Sequence, residues 1–300
     1  MKLSILIPAY NEERGIYNTL QQVKQAVEKQ DLDDHEIIMI DDGSTDNTAE
    51  EAKKCEGAYI IQNERNLGYG ASLKKGIRQA RFNYILISDA DGTYPLDKLN
   101  IMIQEIKSND MVVGERKLKL LKYSILRRFA KILLRNLVYF ITGLKIKDLN
   151  SGLRIFRKSA VQQFFPIIGD GFSFTTTISL ALLQNGYRIK FIPIDYNARK
   201  GRSKIRPLKD TMSIIILIIT TVMYFNPIKV LLPFAGLAFL GMIISLIFDI
   251  FVLHNITEKS LILLALGMAF FFGGIFADLL DKKFNVLFLK INDLNRNNKS

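Results

Sequence analysis

The chain has no tryptophan, one cysteine, two histidines and seven prolines in 300 residues. The lone Cys55 forms neither an internal disulfide nor a cysteine-based zinc site, which excludes a disulfide-stapled secreted scaffold and a zinc finger. His35 falls in a loop and His254 in a turn between apolar runs, so neither suits a Ser-His-Asp device. No G-x-G-x-x-G or G-x-x-x-x-G-K-[ST] motif is present, and Gly68-Tyr69-Gly70 is too short to stand for either. A hydrophobic fraction of 49% excludes a disordered chain. The first apolar run, Leu3 to Ile7, gives way to Asn11, Glu12 and Glu13, so no signal peptide is expected.

The net charge of +12 is unevenly placed. Residues 1–113 carry 13 basic and 19 acidic side chains, residues 114–210 carry 21 and 5, and residues 211–300 carry 7 and 5. The whole excess therefore sits in the middle third. A basic block of that size calls for an anionic partner. A bilayer beside it explains the charge without nucleic acid, and no nucleic-acid partner is expected.

Two uncharged runs, Val230 to Phe248 and Ser260 to Ala277, are 19 and 18 residues long. Each approaches the roughly 20 residues that cross a hydrocarbon core, and neither has a polar stripe at helical spacing. With a short polar loop from His254 to Lys259 between them, residues 229–281 read as a transmembrane helical hairpin. A third run, Thr211 to Ile228, is broken by Asn226 and Pro227 and joins the hairpin with little loop, so residues 211–228 read as an interfacial helix. The basic tail, residues 282–300 with Lys282, Lys283, Lys290, Arg296 and Lys299, places both itself and the N-terminal domain on the cytoplasmic side. From 118 to 140, Leu118, Leu121, Ile125, Phe129, Ile132 and Tyr139 recur at helical spacing among lysines and arginines, the pattern of a helix at headgroup level.

Residues 1–210 alternate strand and helix. Strands are expected at Leu3–Ile7, Glu36–Ile40, Tyr59–Gln62, Tyr84–Ser88 and Met111–Val113, with helices at Gly15–Lys29, from about Thr45, and at Gly70–Arg81. This order predicts an α/β fold with a mostly parallel sheet covered by helices, and ligands at the carboxyl ends of its strands. The polar clusters fall at that edge: Asn11 and Glu12, then Asp41 and Asp42, then Asp89 and Asp91. In Asp89-Ala90-Asp91 the alternate carboxylates project the same way, so both reach one metal-diphosphate unit, with Mg²⁺ or Mn²⁺ as the fitting ion. Asp41 and Asp42 have no basic residue nearby and are expected at a wet rim, accepting hydrogen bonds from a base or ribose. Arg116, Arg127, Arg154, Arg199, Lys200, Arg202 and Lys204 offer donors for phosphate oxygens.

Seven segments in order carry a family resemblance: Ile7 to Glu13 (IPAYNEE), Asp41 to Asp46 (DDGSTD), Asn66 to Ala71 (NLGYGA), Asp89 to Pro95 (DADGTYP), Gly114-Glu115-Arg116, Asp148 to Arg154 (DLNSGLR) and Gly201 to Lys204 (GRSK). They resemble the motif series of glycosyltransferase family 2, in the polyprenyl-phosphate branch typified by dolichol-phosphate mannose synthase. The resemblance spans about residues 1–210. It implies a GT-A fold and inverting transfer of one sugar from a nucleotide sugar (UDP-glucose, UDP-N-acetylglucosamine or GDP-mannose) to a polyprenyl or dolichyl phosphate. The membrane would be the plasma membrane of a prokaryote or the endoplasmic reticulum of a eukaryote. By that analogy Pro8, Tyr10, Glu12, Asp41, Asp42, Asp89 and Ala90 hold the nucleotide, and Arg199, Lys200 and Lys204 close over its phosphates. Asp89 and Asp91 hold the metal, Asp91 serving catalysis. Arg116, Arg127, Ser151 and Arg154 hold the acceptor phosphate, with Asp148 the nearest candidate base. Thr93 stands where the synthase pattern has glutamine, and Thr175, Thr176 and Thr177 stand where an acidic residue is common.

Two other enzyme or protein classes share parts of this pattern. A processive polysaccharide synthase carries a Gln-x-x-Arg-Trp motif, which a chain without tryptophan lacks. A non-catalytic, membrane-anchored sugar-nucleotide-binding or assembly subunit would not need both Asp89 and Asp91. The oligomeric state, a homo-oligomer included, is left open by the sequence.

Overall fold

The computed structural model describes residues 1–116, 148–171, 173–197 and 226–297, with single positions 139, 216, 219, 220 and 223 between them. The amphipathic segment expected at 118–140 except Tyr139, Arg127 within it, the basic residues Arg199, Lys200, Arg202 and Lys204, and most of the interfacial helix expected at 211–228 lie outside the described residues. The chain divides into two units, Met1–Leu217 and Ile218–Ser300.

The first unit is a seven-stranded sheet: β1 Lys2–Ala9, β2 Asp34–Asp41, β3 Ala58–Gln62, β4 Tyr84–Ile87, β5 Met111–Arg116, β6 Arg154–Arg157 and β7 Ile189–Ile194. Their spatial order is β3-β2-β1-β4-β6-β5-β7. β1, β2, β3 and β4 run parallel, as do β5 and β7, while β6 lies antiparallel between β4 and β5. The central strands read as continuous apolar runs because helices cover both faces, and seven of the eight residues of β1 are buried. Ser4 is tolerated at 0% exposure in β1 because its hydroxyl donates to Glu36 and accepts from the Phe82 backbone N–H.

The covering helices are α1 Ile16–Glu28, α2 Thr48–Lys53, α3 Tyr69–Gln79, α4 Leu99–Glu105, α5 Lys158–Gln162 and α6 Phe174–Gln184. In α1 the buried positions Ile16, Thr19, Leu20, Val23 and Val27 form one stripe. Its Thr19 hydroxyl donates to the Ala90 carbonyl at 2.9 Å, so the helix is fastened to the segment after β4. α2 begins at Thr48, later than the Thr45 expected, because the Asp46 carboxylate accepts from the Thr48 N–H at 3.0 Å and so holds the preceding residues in a turn.

Strand direction positions the site. β1 and β2 end level, with Ala9 paired to Asp41, and β4 ends beside them. Because β6 is antiparallel, it begins where its neighbours end, with Arg154 paired to both Ile87 and Val113. The Asp148–Leu153 loop is thereby delivered to the same edge as the ends of β1, β2, β4 and β5.

The second unit holds two helices joined by a tight reversal: α7 Pro227–Phe248, a π-helical turn Asp249–Leu253, and α8 Glu258–Asn297. The stretches Pro227–Leu253 and Glu258–Leu280, with mean hydropathy 2.5 and 2.3, are long and apolar enough to cross a membrane. Their apolar side chains are largely exposed, Leu237 to 67% and Phe276 to 65%, which a core helix of a soluble domain would not tolerate. At the reversal His254 adopts a left-handed conformation (φ 53°). The buried Asp249 carboxylate accepts from the Thr257 N–H at 2.8 Å and from the hydroxyls of Thr257 and Ser260 at 2.7 Å, which caps α8. The loop is therefore shorter than expected, since Glu258 and Lys259 already belong to α8. The helix also continues through most of the segment expected as a tail, residues 282–300.

Candidate active site

Four segments meet at the carboxyl edge. The first follows β1, where Asn11 takes a left-handed backbone (φ 56°). Its N–H donates to the Ser44 hydroxyl at 2.9 Å and its side-chain oxygen accepts from the Thr45 N–H at 2.8 Å. The Glu12 N–H donates to the Thr48 hydroxyl at 2.8 Å, so the loops after β1 and β2 are zipped together. Pro8 is buried within β1, and Tyr10 and Glu12 are partly exposed beyond it.

The wet rim expected for Asp41 and Asp42 is corrected: they are 3% and 4% exposed. Asp42 needs no cation because the protein supplies neutral donors. Its Oδ1 accepts from the Asn63 amide and the Leu67 N–H, and its Oδ2 from the Gly68 N–H, each at 2.9 Å. Asp41 accepts from the Ser44 N–H at 3.0 Å and from the Gln62 amide at 3.4 Å. Gly43 permits this turn, with φ 69° and a backbone so close to Arg65 that a β-carbon would stand 2.4 Å from the Arg65 carbonyl carbon.

The third segment follows β4. Asp89 and Asp91 are partly exposed, while Ala90 between them is buried. Asp89 Oδ1 accepts from the Tyr69 hydroxyl at 3.0 Å. Asp91 Oδ1 accepts from the Thr93 N–H at 3.1 Å and from its hydroxyl at 2.6 Å. Burial, reinforced by the charge of Asp91, pushes the Asp89 carboxyl up to about 6 against the pull of Tyr69, Arg116 and Arg154. Burial and the Asp89 charge hold the Tyr69 phenol well above its ordinary value, which keeps it a donor.

The fourth segment is the loop before β6. Gly152 lies so near Asp89 that a β-carbon would stand 2.5 Å from both carboxylate oxygens. The Gly152 N–H donates to the Tyr94 hydroxyl at 2.7 Å. Asp148 accepts from Arg116 at the end of β5, Oδ2 from Nε at 2.7 Å and Oδ1 from Nη2 at 2.9 Å. Burial works against the Arg116 charge, but the Asp148 pair outweighs it and holds the guanidinium above its ordinary value. The guanidinium also stacks over the Tyr196 ring, 5.4 Å from its centroid, and Tyr196 meets Tyr94 edge to face at 5.3 Å.

Of the residues expected at the site, Tyr10, Glu12, Asp41, Asp42, Asp89, Asp91, Arg116, Asp148 and Ser151 come to this edge. Arg154 differs. It is 0% exposed, and its guanidinium donates to the carbonyls of Leu149, Ser151 and Thr175 and to the Ser179 hydroxyl. Burial lowers it to about 10, so it remains charged at neutral pH. Its position corrects the acceptor-phosphate assignment: Arg154 holds the loop to α6 from inside. Tyr69, Tyr94 and Gly152 lie within the motif segments but carry no role in the sequence, and Tyr196 and Asn63 lie outside them, because the roles of all five arise from contacts between distant segments.

The family model described as Glycosyl transferase family 2 matches residues 4–165. A dolichyl-phosphate beta-glucosyltransferase of Saccharomyces cerevisiae is 28% identical over 229 residues, covering 66% of this chain and 68% of that protein. An undecaprenyl-phosphate 4-deoxy-4-formamido-L-arabinose transferase of Pseudomonas fluorescens is 30% identical over 190 residues, covering 58% and 55%. Among solved structures, glucosyl-3-phosphoglycerate synthase from Mycobacterium tuberculosis, in complex with Mn²⁺, uridine diphosphate and phosphoglyceric acid, superposes with a TM-score of 0.58 at 18% identity, covering 74% of this chain and 78% of that one. Since the matched residues make up more than half of its length, the chain belongs to glycosyl transferase family 2 and is a glycosyltransferase of GT-A-like fold.

Proposed function

We propose that this enzyme moves a single sugar from a nucleotide sugar to a polyprenyl or dolichyl phosphate at the cytoplasmic face of a membrane, with inversion at the anomeric carbon. The observation that carries this reading is the contact between Gly152 and Asp89, which joins the donor motif after β4 to the acceptor motif before β6. The names of the yeast and Pseudomonas relatives support the acceptor class.

The partly exposed Tyr10 and Glu12 would hold the nucleoside, with Asp41 and Asp42 buried at the same edge. Asp89 and Asp91 suit a Mg²⁺ or Mn²⁺ ion that keeps water and substrate phosphates in its shell, since Gly152 leaves a side-chain-free cradle against Asp89. Among the described residues no cluster of three or more metal-ligating side chains exists, so the remaining ligands would come from water and diphosphate. Such an ion would neutralise charge developing on the departing nucleoside diphosphate. Tyr69 and Thr93 fix the orientation of the two carboxylates. Arg116 would hold the acceptor phosphate, with Arg127 a further ligand, and Arg199, Lys200 and Lys204 would close over the donor phosphates. Ser151 is 0% exposed, like Arg154, whose guanidinium donates to its carbonyl, and it is enclosed rather than turned to the acceptor.

The reaction forms a bond from an acceptor phosphate oxygen to the anomeric carbon and breaks the bond from that carbon to the diphosphate. A phosphate monoester, with second pKa near 6, is already largely dianionic at neutral pH. The nucleophile needs orientation more than deprotonation. The two apolar helices hold the enzyme in the bilayer where its acceptor resides, and the lysines after Asp281 favour a cytoplasmic tail.

The test is nucleoside diphosphate release by purified, detergent-solubilised protein across UDP-glucose, UDP-N-acetylglucosamine and GDP-mannose, with Mg²⁺ or Mn²⁺, with and without polyprenyl phosphate. Release that requires the lipid with one donor is the expected result and names the sugar. Release indifferent to the lipid from every donor overturns the acceptor assignment.

A further inference from the structure

Asp148 and Arg116 come from segments 32 residues apart in sequence and meet through both edges of their side chains. Asp148 Oδ2 also accepts from the Arg116 backbone N–H at 3.3 Å, so one carboxylate holds the residue by main chain and side chain together. The Arg116 and Asp148 side chains are 24% and 13% exposed, which keeps the pair from being a screened surface contact. Tyr196 supports the guanidinium from its face while Asp148 supports it from one edge. A guanidinium carries its donors in a rigid planar fork, so fixing Nε and Nη2 also fixes the direction of Nη1.

We infer that Asp148 is the positioning residue of Arg116, holding its guanidinium so that the Nη1 edge meets the phosphate of the lipid acceptor, and that Asp148 is not the base of the transfer reaction. The inference rests on the acceptor reading given above. Three observations favour it. The Asp148 carboxylate accepts four hydrogen bonds, from Nε, Nη2 and the backbone N–H of Arg116 and from the Asn150 N–H at 3.2 Å, so proton abstraction would first require one of them to break. The acceptor dianion has no proton that must be removed. The loop carrying Asp148 is itself pinned, through Arg154 to α6 and through Gly152 to Tyr94, which suits a fixed support better than a mobile base.

The experiment varies polyprenyl phosphate at a saturating concentration of whichever nucleotide sugar supports lipid-dependent release, for wild type, Asp148→Asn, Asp148→Glu, Arg116→Lys and the Asp148→Asn/Arg116→Lys double variant, from pH 6 to 9. Asp148→Asn raises the KM for the lipid phosphate about tenfold or more, since charge-assisted hydrogen bonds hold the pair. The KM for the nucleotide sugar stays unchanged, and the pH profile of kcat keeps its wild-type shape. Asp148→Glu recovers part of the lipid KM, and the double variant is no worse than Arg116→Lys alone because the pair acts as one unit. A fall in kcat of about a hundredfold with unchanged lipid KM and a lost limb of the pH profile would make Asp148 a base and overturn the inference. Independent, multiplicative effects in the double variant overturn it as well. Thermal unfolding and nucleoside diphosphate binding are measured alongside, and a parallel loss of both in Asp148→Asn and Asp148→Glu assigns the pair to folding alone. Wild-type turnover that ignores the lipid overturns the acceptor reading, and with it the role given to this pair.

Discussion

The Thr93 hydroxyl donates to Oδ1 of Asp91 across 2.6 Å, and the same oxygen takes the Thr93 N–H at 3.1 Å. Thr93 is 1% exposed, so it cannot turn away to water, and its carbonyl accepts from the Asn197 N–H at 3.0 Å beyond β7. The Asp91 carboxylate is thus held in one orientation by a residue fastened to the far side of the site. Thr93→Val keeps the shape and removes the hydroxyl. Mn²⁺ affinity in the presence of UDP or GDP, read from the free-ion paramagnetic resonance signal, is expected to fall about tenfold, the value of a hydrogen bond to a charged group. Thr93→Ser should restore it, and equal affinity in Thr93→Val and wild type would remove Thr93 from the metal site.

Gly152 offers a sharper test of whether the donor and acceptor motifs share one site. An alanine there would place its methyl 2.5 Å from both Asp89 oxygens, a distance no relaxed contact allows. Gly152→Ala is expected to reduce kcat/KM by about a hundredfold, since displacing a reacting group by about 1 Å has that effect. Thermal unfolding checks that the fold survives. Full activity in a folded Gly152→Ala protein would separate Asp89 from the chemistry.

A third prediction follows from the Asp89 carboxyl, held at about 6 in the fold against an ordinary value of 3.8. The folded state binds this proton more tightly than the unfolded chain does. The ionised carboxylate therefore lowers stability, by an amount that grows as pH rises from about 4 through about 6 and is constant above. At pH 7.5 with chelator present, Asp89→Asn should be more stable than wild type, by at most about 3 kcal/mol from the size of the shift. Near pH 4 the difference should vanish. Added Mn²⁺ with UDP or GDP should reverse the order by stabilising the wild type alone. Calorimetry in detergent at the two pH values measures it, and a lower melting temperature for Asp89→Asn at pH 7.5 without metal would contradict the burial argument.

The parts of this fold legible in sequence are those whose signal is local. Leu3–Ile7, EIIMI and YILIS are apolar runs bounded by turn residues, and each lies in a central strand. β6 was not legible because RIFR is four residues long with an arginine at each end, and only its place between β4 and β5 makes it a strand. No basic residue stands near Asp42 in the sequence. The real partners are the Leu67 and Gly68 amides, which every sequence carries and none displays. Tyr69, Tyr94 and Tyr196 share no spacing and gather only because three different connections end at one edge. The two apolar runs at the C-terminus needed no tertiary information. The capping of α8 by Asp249 did, because the nine residues from Asp249 to Thr257 must first reverse direction.

The antiparallel entry of β6 brings the end of β5 and the start of the next described segment together. Arg116 and Asp148 clasp each other across 2.7 Å although 32 positions separate them in sequence. The entropy lost in closing such a separation grows only with the logarithm of its length, about 0.6 kcal/mol for each doubling. The number of residues between the two clasp points can therefore change at little thermodynamic cost to the sheet on either side.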